Sequence, residues 1–216
     1  MTTPHYVLGI DIGQANDPTA LALIEHTLDH KPTYHLRALH RFPLGTPYPR
    51  LVEQITRRLD EKPLAGQTRT AIDSTGVGSP VVDLFKEHKQ HAPFIYAITI
   101  TGGTSVGGSG GQRTVPKRDL ITTTAVLLQQ GRLRIAANLT DADTLVDELL
   151  SYRIKLSDTG HDSYGPANSN EHDDLLLALC LALWLAENKP PSRPGSVSVP
   201  TGRIPIHTNP DYYRYR

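Results

Sequence analysis

Three stretches of this chain put acids where apolar residues are expected. Asp11 lies inside Tyr6–Ile12 (YVLGIDI), between two isoleucines. Asp73 closes Arg69–Asp73 (RTAID), immediately before Ser74-Thr75-Gly76. Asp173 and Asp174 open His172–Glu187 (HDDLLLALCLALWLAE). A carboxylate at the margin of an apolar core is costly to desolvate. A hard divalent cation bound through oxygen offsets that cost. Two such ions about 4 Å apart activate a water and stabilise the attacking and leaving oxygens of phosphodiester cleavage. In such a site the metals do most of the work, and no His or Lys base is required.

Each acid taken alone has a plainer reading. Asp73 could be a turn residue, and Asp173 or Asp174 could cap a helix and complement its dipole. Asp11 is harder to explain that way. The conjunction in this element order favours the metal site, with Asp11, Asp73, Asp173 and Asp174 as candidate catalytic and metal-binding residues. The choice between Asp173 and Asp174 as the main ligand stays open. His172 reads either as an accessory contact to metal or phosphate or as an ordinary polar residue. Cys180 has no cysteine partner and the remaining histidines lack zinc-site spacing, which argues against structural zinc.

Positioning these acids is the task of the elements around them. Tyr6–Ile12, Thr19–Ile24 and Tyr34–Phe42 read as strands. Leu51, Ile55 and Leu59 fall four apart within Tyr48–Asp60 and mark a helix face. Arg69–Asp73 and Phe94–Thr99 read as a fourth and fifth strand. Between them lies a helix from Ser79 to His88, with Ser79 as N-cap and Pro80 in its first turn. Gly102–Gln112 reads as a flexible glycine-rich loop. Pro116–Gln130 and Ala142–Tyr152 are helical, the latter with Leu145, Leu149 and Leu150 inward, and Leu133–Ile135 is a short strand. Ser157–Glu171 is a polar loop, and His172–Glu187 is a helix apolar on nearly all sides, hence buried.

Short links among the first three strands suit an antiparallel meander, and long crossovers around the next two suit parallel pairing. The fold class is therefore α/β: a mixed five-stranded central sheet, three antiparallel strands then two parallel, with helices on both faces. If the first and fourth strands are neighbours, Asp11 and Asp73 lie side by side, and the last helix brings its acids to the same point. Residues 1–188 form the domain. Residues 189–216, rich in Pro, Arg and Tyr and without periodicity, read as a disordered or extended tail.

Formal charge is zero, which counts against strong nonspecific nucleic-acid binding. Local cations could still serve. Arg113, Lys117 and Arg118 follow the glycine loop and read either as phosphate contacts or as a solvated helix start. A single cysteine excludes an internal disulfide and suits a reducing compartment. No signal peptide or membrane span is legible. The expectation is a cytoplasmic protein.

GIDIGQANDPTA, AIDSTGVGSPVVDLF and EHDDLLLALCLALW resemble the three metal-binding segments of the nuclease domain of viral terminase large subunits, in the RNase H-like group that also holds RuvC-type resolvases. VPKRDLI, LLQQGRLRI and DELLSYRIKL resemble that family too, so the likeness spans about residues 5 to 188. It implies an RNase H-like fold and a Mg2+- or Mn2+-dependent DNA endonuclease using two ions. It places the first carboxylate at Asp11, the second at Asp73 and the third at Asp173 or Asp174. It also implies cleavage of concatemeric double-stranded viral DNA during genome packaging in the host cytoplasm, beside an ATPase motor, a small terminase subunit and a portal. The chain departs from that pattern in lacking G-x-x-x-x-G-K-[ST], so translocation is not assigned to it. Two other readings stand: a RuvC-like junction-resolving nuclease, and a non-catalytic DNA-binding or docking module. GIDIG also opens the actin-like and sugar-kinase group, but those proteins need two such domains around a nucleotide.

Overall fold

His5–Asp11 (β1) is buried at every position but its two ends, the pattern of a strand covered on both faces. A computed structural model of the chain describes residues 5–13, 17–26, 31–136, 138–155, 163–166 and 172–188. β1, Ala20–His26 (β2) and Tyr34–Arg41 (β3) form the antiparallel meander. The chain then crosses through Tyr48–Leu59 (α1) to Thr68–Asp73 (β4), which lies parallel to β1 on its other side. Gly78–Glu87 (α2) leads to Ile95–Thr101 (β5), parallel to β4. Five strands thus pair as the sequence predicts.

Two more complete a seven-stranded sheet. Gln112–Pro116 (β6) lies parallel to β5, and Leu133–Ile135 (β7) lies parallel to β3. The order is β6-β5-β4-β1-β2-β3-β7. β6 was hidden because it emerges directly from the glycine-rich stretch as a five-residue edge strand with only Val115 and Pro116 buried. Lys117–Gln129 (α3), Ala142–Ser151 (α4) and Asp174–Asn188 (α5) supply the remaining helices.

Side-chain alternation sorts the core into two layers. Tyr6, Leu8 and Ile10 of β1 pack with α1 and α2, through Leu51, Ile55 and Phe85 among others. Val7 of β1 and Ala71 of β4 pack with α3, α4 and α5. Leu175 through Ala186 are all buried, so α5 is a core element enclosed on every side.

Three local expectations are corrected. α2 starts one residue earlier than expected, capped by Val77 without a side-chain hydrogen bond, so Ser79 is not its cap. Leu145 is buried and Leu149 packs partly against the core, but Leu150 is 77% exposed: it lies beyond the inward face of α4. Ser163–Pro166 (β9), inside the expected polar loop, pairs antiparallel with Tyr152–Lys155 (β8). The expected tail, 189–216, lies outside the described residues. Among the described residues, no helix is long and apolar enough to cross a membrane.

Glycine is required where α5 meets β1. A Cβ on Gly9 would lie 1.9 Å from the Ala178 carbonyl oxygen and 2.8 Å from the Ala182 nitrogen. Both are backbone atoms of a buried helix, so neither moves cheaply. Gly9→Ala should cost about 3 kcal/mol, at the upper end of ordinary overpacking. It should appear as a lowered urea midpoint at unchanged m-value. Gly102→Ala, where a Cβ meets nothing within 4 Å, is the control and should stay within about 0.5 kcal/mol.

Candidate active site

The pairing of β1 with β4 runs through Ile10 opposite Ile72, so Asp11 and Asp73 follow as neighbours at the carboxyl ends of two parallel strands. Asp11 shares the face of Val7 and Gly9, and Asp73 the face of Ala71, the face covered by α5. From β1 the meander runs one way, and from β4 the sheet continues the other way to β5. Such a switch point opens a crevice outside the strand ends, where α/β sheets bind ligands.

Short hydrogen bonds hold the loops that follow each acid. Beyond Asp11, the Gly13 N–H donates to Thr19 Oγ1 at 3.0 Å, and Tyr48 Oη donates to the Gly13 carbonyl at 3.0 Å. Beyond Asp73, the Thr75 N–H donates to Asp73 Oδ1 at 2.8 Å, which fixes that carboxylate. The chain then turns so tightly that a Cβ on Gly78 would lie 1.9 Å from the Asp73 carbonyl oxygen.

α5 delivers the third component. The Asp173 carbonyl accepts its first helical hydrogen bond, from Leu177 N–H at 2.8 Å. Asp173 and Asp174 therefore sit at the positive end of a buried helix, where carboxylates are favoured. The two are held differently. Lys117 Nζ donates to Asp173 Oδ2 at 3.0 Å. Asp174, 4% exposed, receives a bidentate pair from Arg41, with Nε to Oδ2 at 2.7 Å and Nη2 to Oδ1 at 3.0 Å.

The electrostatics follow from this crowding. Burial raises the Asp11 carboxyl well above the ordinary carboxylate range, and the neighbouring charges of Asp73, Asp173 and Asp174 raise it further, against a lowering by Lys117. Burial also raises Asp73, against hydrogen bonds from Thr75 and Asp11 that hold it down. Two like charges this close favour sharing a proton unless a cation intervenes. The donors are all carboxylate oxygens, which is the chemistry of a hard divalent ion. Among the described residues, no three His, Cys, Asp or Glu side chains already enclose one point as a cation cage. Lys117 and Arg41 occupy the two α5 acids in that role.

Sequence reasoning missed two members of this cluster. Arg41 Nη2 also pairs with Glu148 of α4, and Glu148 Oε2 accepts the Leu176 N–H at 2.8 Å. Glu148 thus caps α5 from another helix, and the main cause of its rise to about 7 is burial. The available signal was an acid three residues after Leu145 on the inward face of α4. His172 is exposed, and its Nδ1 lies 3.6 Å from Asp17 Oδ1. The basic trio after the glycine loop divides. Lys117 joins the acids, Arg118 lies 3.5 Å from Asp119, and Arg113 Nη1 donates to the Gly108 carbonyl at 2.9 Å. Cys180 is buried against α3, its thiol pushed up to about 12, mainly by burial, and it is no ligand at neutral pH.

Arg41 compensates two buried acids at once. Arg41→Met should cost about 3 kcal/mol, the range for stranding a buried partner. Adding Glu148→Gln should recover part of that loss, because one stranded charge is removed. A double-mutant cycle from urea unfolding at pH 8 checks this, and additive losses would contradict it.

A family model described as the terminase RNase H-like domain matches residues 8–185. No curated protein matches. Among solved structures, the large terminase nuclease from thermophilic phage G20c with bound magnesium is similar at 19% identity and a TM-score of 0.59. The match covers 84% of this chain and 81% of that one. The large terminase nuclease domain from bacteriophage SPP1 with bound Mn is similar at 12% identity and a TM-score of 0.51, over 85% of this chain and 86% of that one. The HK97 bacteriophage large terminase is similar at 11% identity and a TM-score of 0.52, over 84% of this chain but 39% of its own length. At these identities the structural likeness shows the fold, while the sequence match extends over most of the chain. The RNase H-like α/β architecture, the paired strand-end acids and the matched region together make this chain a member of the terminase RNase H-like domain family.

Proposed function

We propose that this chain is a divalent-metal-dependent endodeoxyribonuclease that hydrolyses phosphodiesters of double-stranded DNA, as the cutting domain of a viral packaging machine. The observation that carries this reading is the placement of Asp11 and Asp73 on adjacent parallel strand ends beneath the N-terminus of α5. Asp11, Asp73 and Asp173 would hold Mg2+ or Mn2+. Metal-bound similar folds, with magnesium and with Mn, support that donor chemistry. Two ions, when bound, would supply a hydroxide nucleophile and neutralise charge on the phosphate oxygens.

The chain's own groups have distinct parts in this scheme. Asp11 and Asp73 bring paired negative charge to the crevice. Asp173 is held ready by Lys117 and would exchange that ammonium for a metal. Asp174 is the structural member of the pair, clamped by Arg41. The Lys117 ammonium, once displaced, would lie beside the incoming phosphate. Residues 1–188 form the nuclease domain in this reading and 189–216 an extended tail, acting in the host cytoplasm. An ATPase motor, a small terminase subunit and a portal are the partners proposed to present the DNA.

Cleavage of supercoiled plasmid tests the activity. Nicking and linearisation with Mn2+ or Mg2+, absent in EDTA and reduced more than about 100-fold in Asp11→Asn and Asp73→Asn, is the expected result. Strong preference for four-way junctions would favour the resolvase reading instead. No cleavage, with no Mn2+ binding by calorimetry, would favour the docking module.

A linked prediction concerns stability without metal. The Asp11 carboxyl is raised in the folded state, so its ionised form opposes folding. That penalty is absent below the ordinary carboxylate range near pH 4 and grows as pH rises towards the raised value. In EDTA at pH 8, Asp11→Asn should therefore melt higher than the parent, and the gap should close towards pH 4. With Mn2+ the order should reverse, because only the parent gains binding energy. A mutant less stable at pH 8 in EDTA would contradict the charge assignment.

A further inference from the structure

A second site lies on the other face of the same strand ends. Ser74 follows Asp73 directly, yet it opens into a polar cavity of about 370 Å³ between α2 and the end of the glycine-rich segment. Ala97 and Val82, which also line it, belong to the core layer under α1 and α2, opposite the face that carries Asp11 and Asp73. Ser79 and Lys86, two helical turns apart, fall on the cavity side of α2, which gives that wall a length of about 10 Å. Arg113, on the edge strand β6, borders the cavity, and its guanidinium is anchored at 2.9 Å on the carbonyl of Gly108, which also lines it.

The lining selects a ligand class. Two cations, Lys86 and Arg113, accompany the hydroxyls of Ser74, Ser79 and Thr99, and Ser74 Oγ lies 3.0 Å from Thr99 Oγ1. Hydroxyls with Lys and Arg are the groups that contact phosphate and sugar oxygens in DNA complexes. Among the described residues no aromatic ring lines the cavity, so they offer no surface on which a base would stack. With zero formal charge over the whole chain, DNA binding must come from local concentrations of cation.

We propose that this cavity binds a backbone phosphodiester of the DNA strand that has passed over the acid cluster. The inference rests on the reading of the chain as a DNA nuclease. The strand crosses the carboxyl edge of the sheet, with the scissile phosphate over Asp11 and Asp73 and a neighbouring phosphate between Lys86 and Arg113. Asp83, on the same wall and 3.7 Å from Lys86, opposes that phosphate and moderates the grip.

The test is anisotropy of a fluorescent duplex in EDTA, over a salt series, with the full chain. The Lys86→Gln, Arg113→Gln double variant should bind about 10-fold more weakly at low salt, with a slope against log salt shallower by about 2. Arg113→Lys should keep the parent slope. Asp83→Asn should bind several-fold more tightly, an opposite sign that damage to the fold cannot produce. Parent affinity and slope in the double variant, or no tightening in Asp83→Asn, would overturn the proposal. Binding of millimolar inorganic phosphate by the parent but not the double variant, with duplex affinity unchanged at constant ionic strength, would also overturn it, as a free-anion pocket. Failure of the nuclease reading shows separately, as absent metal-dependent plasmid cleavage despite the expected salt slopes.

Discussion

A Cβ on Gly9 would lie 1.9 Å from the Ala178 carbonyl, so α5 rests on β1 backbone against backbone. Ala178 and Ala182 are one helical turn apart and keep that contact free of larger side chains. The height of α5 above the sheet follows from it, and so does the point at which its N-terminus meets the sheet edge. Asp11 lies two residues beyond Gly9 on the same face. The distance between the strand acids and the helix acids is therefore fixed by a packing contact inside the core, on elements more rigid than any loop.

The outline of this arrangement is legible along the chain because its main signals are local. β1 and α5 are apolar without alternation, which marks elements buried on both faces or on all sides. Acids within or bordering such apolar runs stand out, as Asp11, Asp73, Asp173 and Asp174 do. The meander and the later crossovers follow from connection length. β6 carries no such signal, and β7 is legible as a short strand but not as a member of the sheet. One is a short edge strand leaving a glycine-rich stretch, and the other has three residues that gain their partner only when β3 is in place.

The compensating groups were the least legible part. Arg41 ends β3 with no local oddity, yet the register that sets it opposite Ala20, itself opposite Asp11, carries its guanidinium to α5. Glu148 looks like a surface acid until α4 packs and its carboxylate meets the Leu176 N–H. Lys117 reads as a DNA-facing cation of a helix start, but α3 turns it towards Asp173. These cations and this cap are products of tertiary packing between distant segments. They also set how four acids sit near one point: two are paired with side-chain cations, and the other two are raised by burial and share a hydrogen bond.

The place of α5 in the chain has a consequence for synthesis. β1 is made before α5, which follows all seven strands of the main sheet, a delay on the order of ten seconds at ordinary rates of translation. Until then Gly9 has no helix above it, and Asp11 stands at the end of an uncovered strand beside solvent. Its carboxyl has no reason to depart from its ordinary acidity, and the acids of α5 are not there to join it. A ribosome-bound or prematurely terminated chain would thus be both inert and sticky, with one face of the sheet bare. The centre comes into existence in one late step, when the helix closes the core.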